Sequence, residues 1–217
     1  MPGPYLIAFE GIEGAGKSTQ LARAARLLTA GGYDVVASRE PGGTAVGERI
    51  RALVLEPAFT TLTPVAELYL YLAARNQHVR EVIKPALAAG KTVLVDRYVH
   101  STLAYQGYGL GITLGGPGAP PAVQLARLSE RCDEAAEGLW PDLVLVFDVP
   151  PEVGLARRGN APPDRIEARA LAFHRRVREG FLALAAADPA RVKVIDASAA
   201  EDDVAAAVDW NLSALLP

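Results

Sequence analysis

Five short apolar runs recur along the chain: YLIAFE (5–10), DVVAS (34–38), TVLVD (92–96), LVLVFDV (143–149) and VKVID (192–196). Each is continuous rather than alternating, so a strand built from it has both faces in the core. Between them lie stretches with helical spacing, rich in Ala, Leu, Arg or Glu, at 17–30, 46–56, 64–89, 120–137, 166–187 and 201–214. This alternation predicts an α/β fold in which a central parallel five-stranded sheet is flanked by helices on both faces. Ligands of such sheets bind beyond the carboxyl ends of the strands, where the sequence puts Glu10, Arg39, Asp96 and Asp148.

Half of the 217 residues are hydrophobic, enough for one full core, so a single domain over 1–217 is expected. A formal net charge of −3 offers no basic surface for nucleic acid. No apolar run approaches the roughly 18 residues of a membrane span, and the opening MPGPYLIAFEGIEG lacks the basic segment and long apolar core of a leader. A soluble cytoplasmic protein is expected. Cys132, the only cysteine, has no disulfide partner and no Cys or His at metal-ligand spacing, so it is expected to be a buried, inert thiol. His78, His100 and His174 suggest no metal cluster, and Trp140 and Trp210 are expected in the core or at an interface. GYGLGITLGGPGAPP (107–121) and RRGNAPPD (157–164) are the expected mobile loops.

Gly11-Ile12-Glu13-Gly14-Ala15-Gly16-Lys17-Ser18 follows the first apolar run and opens a helical stretch, the setting that the P-loop pattern requires. Gly11, Gly14 and Gly16 let backbone amides converge on phosphate oxygens, and the helix beginning here adds its positive end. Gly11 through Thr19 is the expected ATP-binding segment, with Lys17 reaching the outer phosphates and Ser18 a Mg²⁺ ion. No Asn-Lys-x-Asp or Asp-x-x-Gly motif accompanies it, which argues against a GTPase switch. Glu13 places a carboxylate beside phosphates, a repulsive arrangement unless a cation answers it or water solvates it.

A second stretch, VDRYVHSTLAYQG (95–107), closes an apolar strand with Asp96 and Arg97 and continues into hydroxyls, rings and an amide. Asp96 is placed to help hold the metal, and Arg97 to bridge phosphate groups with its fork of donors. Ser101 or Thr102 and Tyr105 fall on one helical face, with Gln106 next to them. Upstream, Tyr71 and Arg75 are four apart and therefore neighbours on a helix. A ring to stack on a base beside a guanidinium to bond its carbonyl suits a nucleobase, although alone the two read as a core aromatic and a surface cation.

Together FEGIEGAGKST, SREPGGTAVGERIR, YLYLAARNQHV, VLVDRYVHSTLAYQGYG, PDLVLVFDVPPEVGL and DRIE resemble the bacterial thymidylate kinases over almost the whole chain. The resemblance implies a P-loop kinase fold with a short mobile lid at about 157–166. It implies Mg²⁺-dependent transfer of the ATP γ-phosphate to dTMP in a homodimer. Acceptor-binding segments would be 39–51, 67–78 and 96–109. Tyr71 would stack on thymine, Arg75 bond the base carbonyl, and Ser101, Thr102 and Gln106 line the pocket. Tyr105 would lie against the sugar, and Arg51 and Arg97 would hold the acceptor phosphate. Lys17, Arg97 and Glu13 would serve the transfer, Glu13 by positioning.

This family draws extra positive charge from the P-loop or from the lid, and Glu13-Gly14-Ala15 is not basic. Arg157 and Arg158, with Arg165 beyond them, are therefore the candidate lid arginines. A kinase for another monophosphate or a deoxynucleoside, or a nucleotide-dependent switch, are the alternative readings.

Overall fold

The computed structural model describes residues 3–112, 114, 120–157, 159 and 162–216. Arg158, Asn160 and Ala161 of the expected lid, and Thr113 and 115–119 of the expected loop, lie outside the described residues.

All five apolar runs form strands: β1 (Leu6–Gly11), β2 (Val35–Arg39), β3 (Thr92–Asp96), β4 (Leu143–Asp148) and β5 (Val192–Asp196). They pair in parallel in the order β2-β3-β1-β4-β5. β1 is buried along its whole length, and β3 and β4 at all but their last residues. That explains their unbroken apolar character. Phe9 stacks on Phe147 across the β1–β4 seam, with ring centroids 5.8 Å apart. The register sets Arg39 and Phe9 on either side of Asp96, and Gly11 beside Phe147, so Arg39, Asp96 and Gly11 share one edge.

The helices are α1 (Lys17–Ala30), α2 (Ala45–Leu55), α3 (Pro64–His78), α4 (Lys84–Ala88), α5 (Val99–Thr102), α6 (Pro121–Ala136), α7 (Pro151–Arg157), α8 (Leu171–Ala187) and α9 (Glu201–Leu215). α1 and α9 pack together, and α8 lies against β4, β5 and the 103–109 segment. α2 and α3 begin on Thr44 and Thr63, whose side chains accept from Gly47 N and Ala66 N. α1 begins on Gly16 at φ 85° with no side-chain cap, leaving its first amides directed at whatever occupies the strand ends.

Several expectations are corrected. The helix expected over 64–89 is interrupted at Val79–Ile83 by a wide π-type turn, and Leu103–Gly109, expected as part of a loop, is a second one. The helix expected from 166 starts at Leu171, because 164–167 turns back on the Asp164 carboxylate, which accepts from Ile166 N and Glu167 N. α7 was not expected at all.

α7 presses on the P-loop. A Cβ on Gly14 would fall 1.9 Å from the carbonyl oxygen of Gly154, and a Cβ on Gly154 would fall 2.5 Å from that of Glu13. Gly14 also holds φ 70°, so both space and backbone require glycine there. Gly154→Ala is expected to lower stability by about 1–3 kcal/mol, measured by thermal or urea denaturation, and to weaken ATP binding, because the P-loop must shift to admit the methyl group.

Candidate active site

Two cavities meet at the P-loop. A groove of about 560 Å³ runs along residues 14–20 and is closed by Arg157, Ala197, Ala199, Glu201 and Val204. The last four, on the loop after β5 and on α9, carry no motif and were not anticipated. On the other side, a narrower slot of about 150 Å³ is lined by Glu13, Glu40, Arg51, Tyr71, Arg75, Arg97, Ser101, Thr102, Tyr105 and Gln106, with Asp164, Ile166 and Glu167 at its rim. Every residue expected to bind the acceptor lines this slot.

Arg97 lines the narrower slot. It adopts the left-handed backbone conformation, φ 69°, unusual for a side-chain-bearing residue and of the kind that clusters at functional sites. Its amide donates to Phe9 O, and one Nη donates to Gly11 O at 2.9 Å and to Ser101 Oγ at 3.2 Å. The other Nη donates to Glu13 Oε1 at 2.9 Å, and the guanidinium lies 4.9 Å over the Tyr105 ring. Tyr105 Oη donates to the same Glu13 oxygen at 2.6 Å. Burial alone would raise the Glu13 carboxyl, but Arg97, His174, Lys17 and Tyr105 outweigh it and hold the group well below the usual carboxylate range. Glu13 therefore carries its charge inside the site, answered by Arg97 rather than by water.

The remaining cations are short of counter-charge. Burial, followed by the proximity of Arg39 and Arg97, lowers the proton affinity of Arg51, which donates to Pro41 O at 3.1 Å. Two guanidinium groups facing one slot favour an anion between them. Lys17 is 7% exposed and donates to Ile12 O at 2.8 Å; burial, then Arg97, pushes it down to about 8. Arg157 reaches Ala197 O at 2.8 Å on the wall of the wide groove, while Arg158 lies outside the described residues. Arg165 points elsewhere: it donates to Val54 O and, with Arg169, to the buried Glu67 carboxylate at 2.6 and 2.7 Å. The other Glu67 oxygen accepts from Gln106 at 2.9 Å. Glu67 and Arg169 had no motif to announce them.

Ser18 Oγ donates to Asp96 Oδ2 at 2.7 Å, which brings two hard oxygen ligands together at the start of α1. Among the described residues no three His, Cys, Asp or Glu side chains group as a metal cluster. A hydroxyl and one carboxylate suit a cation that takes its other ligands from phosphate and water. Of the other strand-end polar residues, Asp148 is occupied by Arg178 at 2.6 and 2.8 Å and Arg39 pairs with Glu48 at 2.9 Å.

Other expected residues fall as follows. Cys132 is fully buried, its thiol pushed up to about 11 by burial. His100 is buried against Trp140, and burial pushes it down to about 4. Trp210 is 75% exposed, which excludes the core.

Glu10 ends β1 beneath Arg97. Its Oε1 accepts from Tyr98 N at 2.8 Å and Ser101 N at 3.1 Å, and its Oε2 accepts from Ser101 Oγ at 2.5 Å. Burial raises its carboxyl to about 7 despite these bonds and the charge of Arg97. Because the folded value lies above the unfolded 4.5, the native state holds the proton more tightly. Relative stability is therefore highest below pH 4.5 and falls until about pH 7. Glu10→Gln keeps an acceptor for both amides and an amide donor for Ser101, and is expected to remove that fall, up to about 3 kcal/mol. Denaturation of both proteins at pH 5 and pH 8 checks this; parallel pH dependences would refute it.

The thymidylate kinase family model matches residues 9–208. The chain is 48% identical to a thymidylate kinase from Deinococcus radiodurans over 205 residues, 93% of each chain. It is also 48% identical to one from Pelotomaculum thermopropionicum, covering 100% of this chain and 97% of that protein. The crystal structure of a thymidylate kinase from Ehrlichia chaffeensis superimposes with a TM-score of 0.75 at 32% identity, covering 98% of this chain and 99% of that one.

Proposed function

The chain belongs to the thymidylate kinase family, which transfers the ATP γ-phosphoryl group to dTMP to give dTDP and ADP, and we propose a division of labour for its residues in that reaction. ATP takes the wide groove along the P-loop, with Gly11 through Thr19 around its phosphates, and dTMP takes the slot. The observation that carries this reading is the Glu13–Arg97 pair in the wall of the slot, which joins the residue next to the groove-lining stretch 14–20 to the segment after β3.

Tyr71 stacks on the base, Arg75 and Gln106 read its edge with Ser101 and Thr102 beside them, and Tyr105 lies against the sugar. Arg51 and Arg97 grip the acceptor phosphate. The acceptor oxygen already carries charge at neutral pH, so the protein's task is to bring two anions into line and neutralise them, not to remove a proton. Lys17 leaves Ile12 O for the transferring phosphoryl group. Glu13 aims Arg97, and Arg157, with Arg158 outside the described residues, supplies the lid charge. Ser18 and Asp96 would hold Mg²⁺, which would supply positive charge against the donor phosphates.

Leu53, Val65, Tyr69 and Val123 are exposed on α2, α3 and α6, with α3 packed against each of the other two; these exposed apolar side chains support a homodimer. Among the described residues no helix is long and apolar enough to cross a membrane, which supports a cytoplasmic enzyme.

ADP formation from ATP and Mg²⁺ would be measured with dTMP, dUMP, UMP, dCMP, thymidine or no acceptor. Rapid turnover is expected with dTMP alone and little hydrolysis without an acceptor, because transfer must outcompete water. If no acceptor exceeds the control, the assignment of the slot is wrong. Glu13→Ala is expected to lower kcat by about 10²-fold, since an unaimed Arg97 stabilises the transition state poorly; full turnover in that variant would rule out the positioning role.

A further inference from the structure

The edge that Arg75 presents to the acceptor slot is set by what holds its other sides. Nε donates to Glu40 Oε2 at 2.8 Å, one Nη to Thr102 Oγ1 at 2.9 Å and the other to Tyr98 O at 2.8 Å. The Nη on Thr102 also reaches Cys132 Sγ at 3.9 Å, and because a guanidinium carries its five N–H donors in one fixed plane, these bonds aim the one donor that remains. Glu40 is itself buried, 4% exposed, and is held in turn. Its Oε1 lies 3.0 Å from His78 Nδ1, and His78 Nε2 lies 2.7 Å from Ser38 Oγ. A carboxylate oxygen only accepts, so Nδ1 carries the hydrogen, and Nε2 shares the second bond with the Ser38 hydroxyl. Arg75 and His78, three residues apart on α3, reach one carboxylate from the same side of the helix.

The loop after β2 is built tightly over this chain of groups. A Cβ on Gly43 would lie 2.6 Å from Ser38 Oγ and 2.7 Å from His78 Nε2. Held by Arg75 alone, the Glu40 carboxylate could turn about its last bond and pull Nε away from the plane that Thr102 and Tyr98 O favour. His78 and Ser38 remove that freedom.

We propose that Ser38, His78 and Glu40 are positioning residues that lock the plane of Arg75 and thereby set the preference for a base with a carbonyl, as in dTMP, over one with an amino group at the same edge, as in dCMP. The inference rests on the assignment of Arg75 to the base edge. A guanidinium offers only donors, so a carbonyl is bound and an amino group meets donor against donor. The contrast is sharp only while the guanidinium is fixed. Once its plane is released, the bond to the carbonyl weakens, while the amino base, which had no bond to lose, is scarcely affected.

The experiment compares kcat and KM for dTMP and dCMP, with KM for ATP, in Arg75→Lys, His78→Leu, His78→Asn and Ser38→Ala. Arg75→Lys is expected to lose the preference for dTMP. His78→Leu removes both imidazole bonds and is expected to raise KM for dTMP about tenfold, leaving kcat/KM for dCMP within about twofold and KM for ATP unchanged. His78→Asn restores a donor near Nδ1 and should recover most of the loss. Ser38→Ala, at a half-buried site that tolerates truncation, should fall between them and keeps the test open if His78→Leu fails to fold. If Arg75→Lys keeps the preference, the base-reading assignment is wrong and the proposal falls with it. If Arg75→Lys loses the preference but the His78 and Ser38 variants change dTMP and dCMP by the same factor, or change neither, the positioning role alone is overturned.

Discussion

The Glu13–Arg97 ion pair is the contact on which the site depends. Glu13 comes from the loop after β1 and Arg97 from the end of β3, so the pair ties the P-loop to the segment after β3 across the junction of two adjacent strands. It is largely withdrawn from solvent, with 19% and 15% of the two side chains exposed, and a pair of this kind is costly to break because the survivor is left charged and unanswered. Arg97 accepts an unfavourable backbone conformation to make it, and Glu10 secures the turn from beneath through two amides and the Ser101 hydroxyl. Phosphoryl transfer requires two polyanions to be held in line, and a link that fixes the two binding segments relative to each other meets that requirement in the protein itself.

Around this link the charges are deliberately unbalanced. Carboxylates that could have quenched the site are already committed: Asp148 to Arg178, Glu48 to Arg39, and Glu67 to Arg165 and Arg169. Lys17 and Arg51 are left with carbonyl partners and with the repulsion of other cations. Such a concentration of positive charge favours an anion in the slot.

The sheet and the donor loop could be read directly from sequence because both are local patterns. The apolar runs of β1, β3 and β4 have no other economical burial, while β2 and β5, at the sheet edges, are only partly buried; the P-loop glycines stand in a strand-loop-helix context that leaves little choice. The residues that line the slot were singled out chiefly through family resemblance: Tyr71 and Arg75 alone carry no signal that separates them from an ordinary helix. What escaped the sequence is what long-range packing decides. The wide turns at Val79–Ile83 and Leu103–Gly109 have no propensity signature, α7 is too short for a periodic pattern, and Glu67 meets Arg165 and Arg169 from about a hundred positions away. Arg165 shows the cost of this: a lid arginine by its place in the chain, it is fastened to α2 and α3 instead.

The contact between Gly14 and Gly154 has a mechanical meaning. Interlocked side chains resist sliding, because each must change rotamer before its neighbour can pass. Where the P-loop meets α7, backbone approaches backbone with no side chain between them. Such a seam has the surface of a bearing: at the two glycines there is no rotamer that a turn of α7 would have to unlock. A methyl group on either surface would convert the bearing into a ratchet.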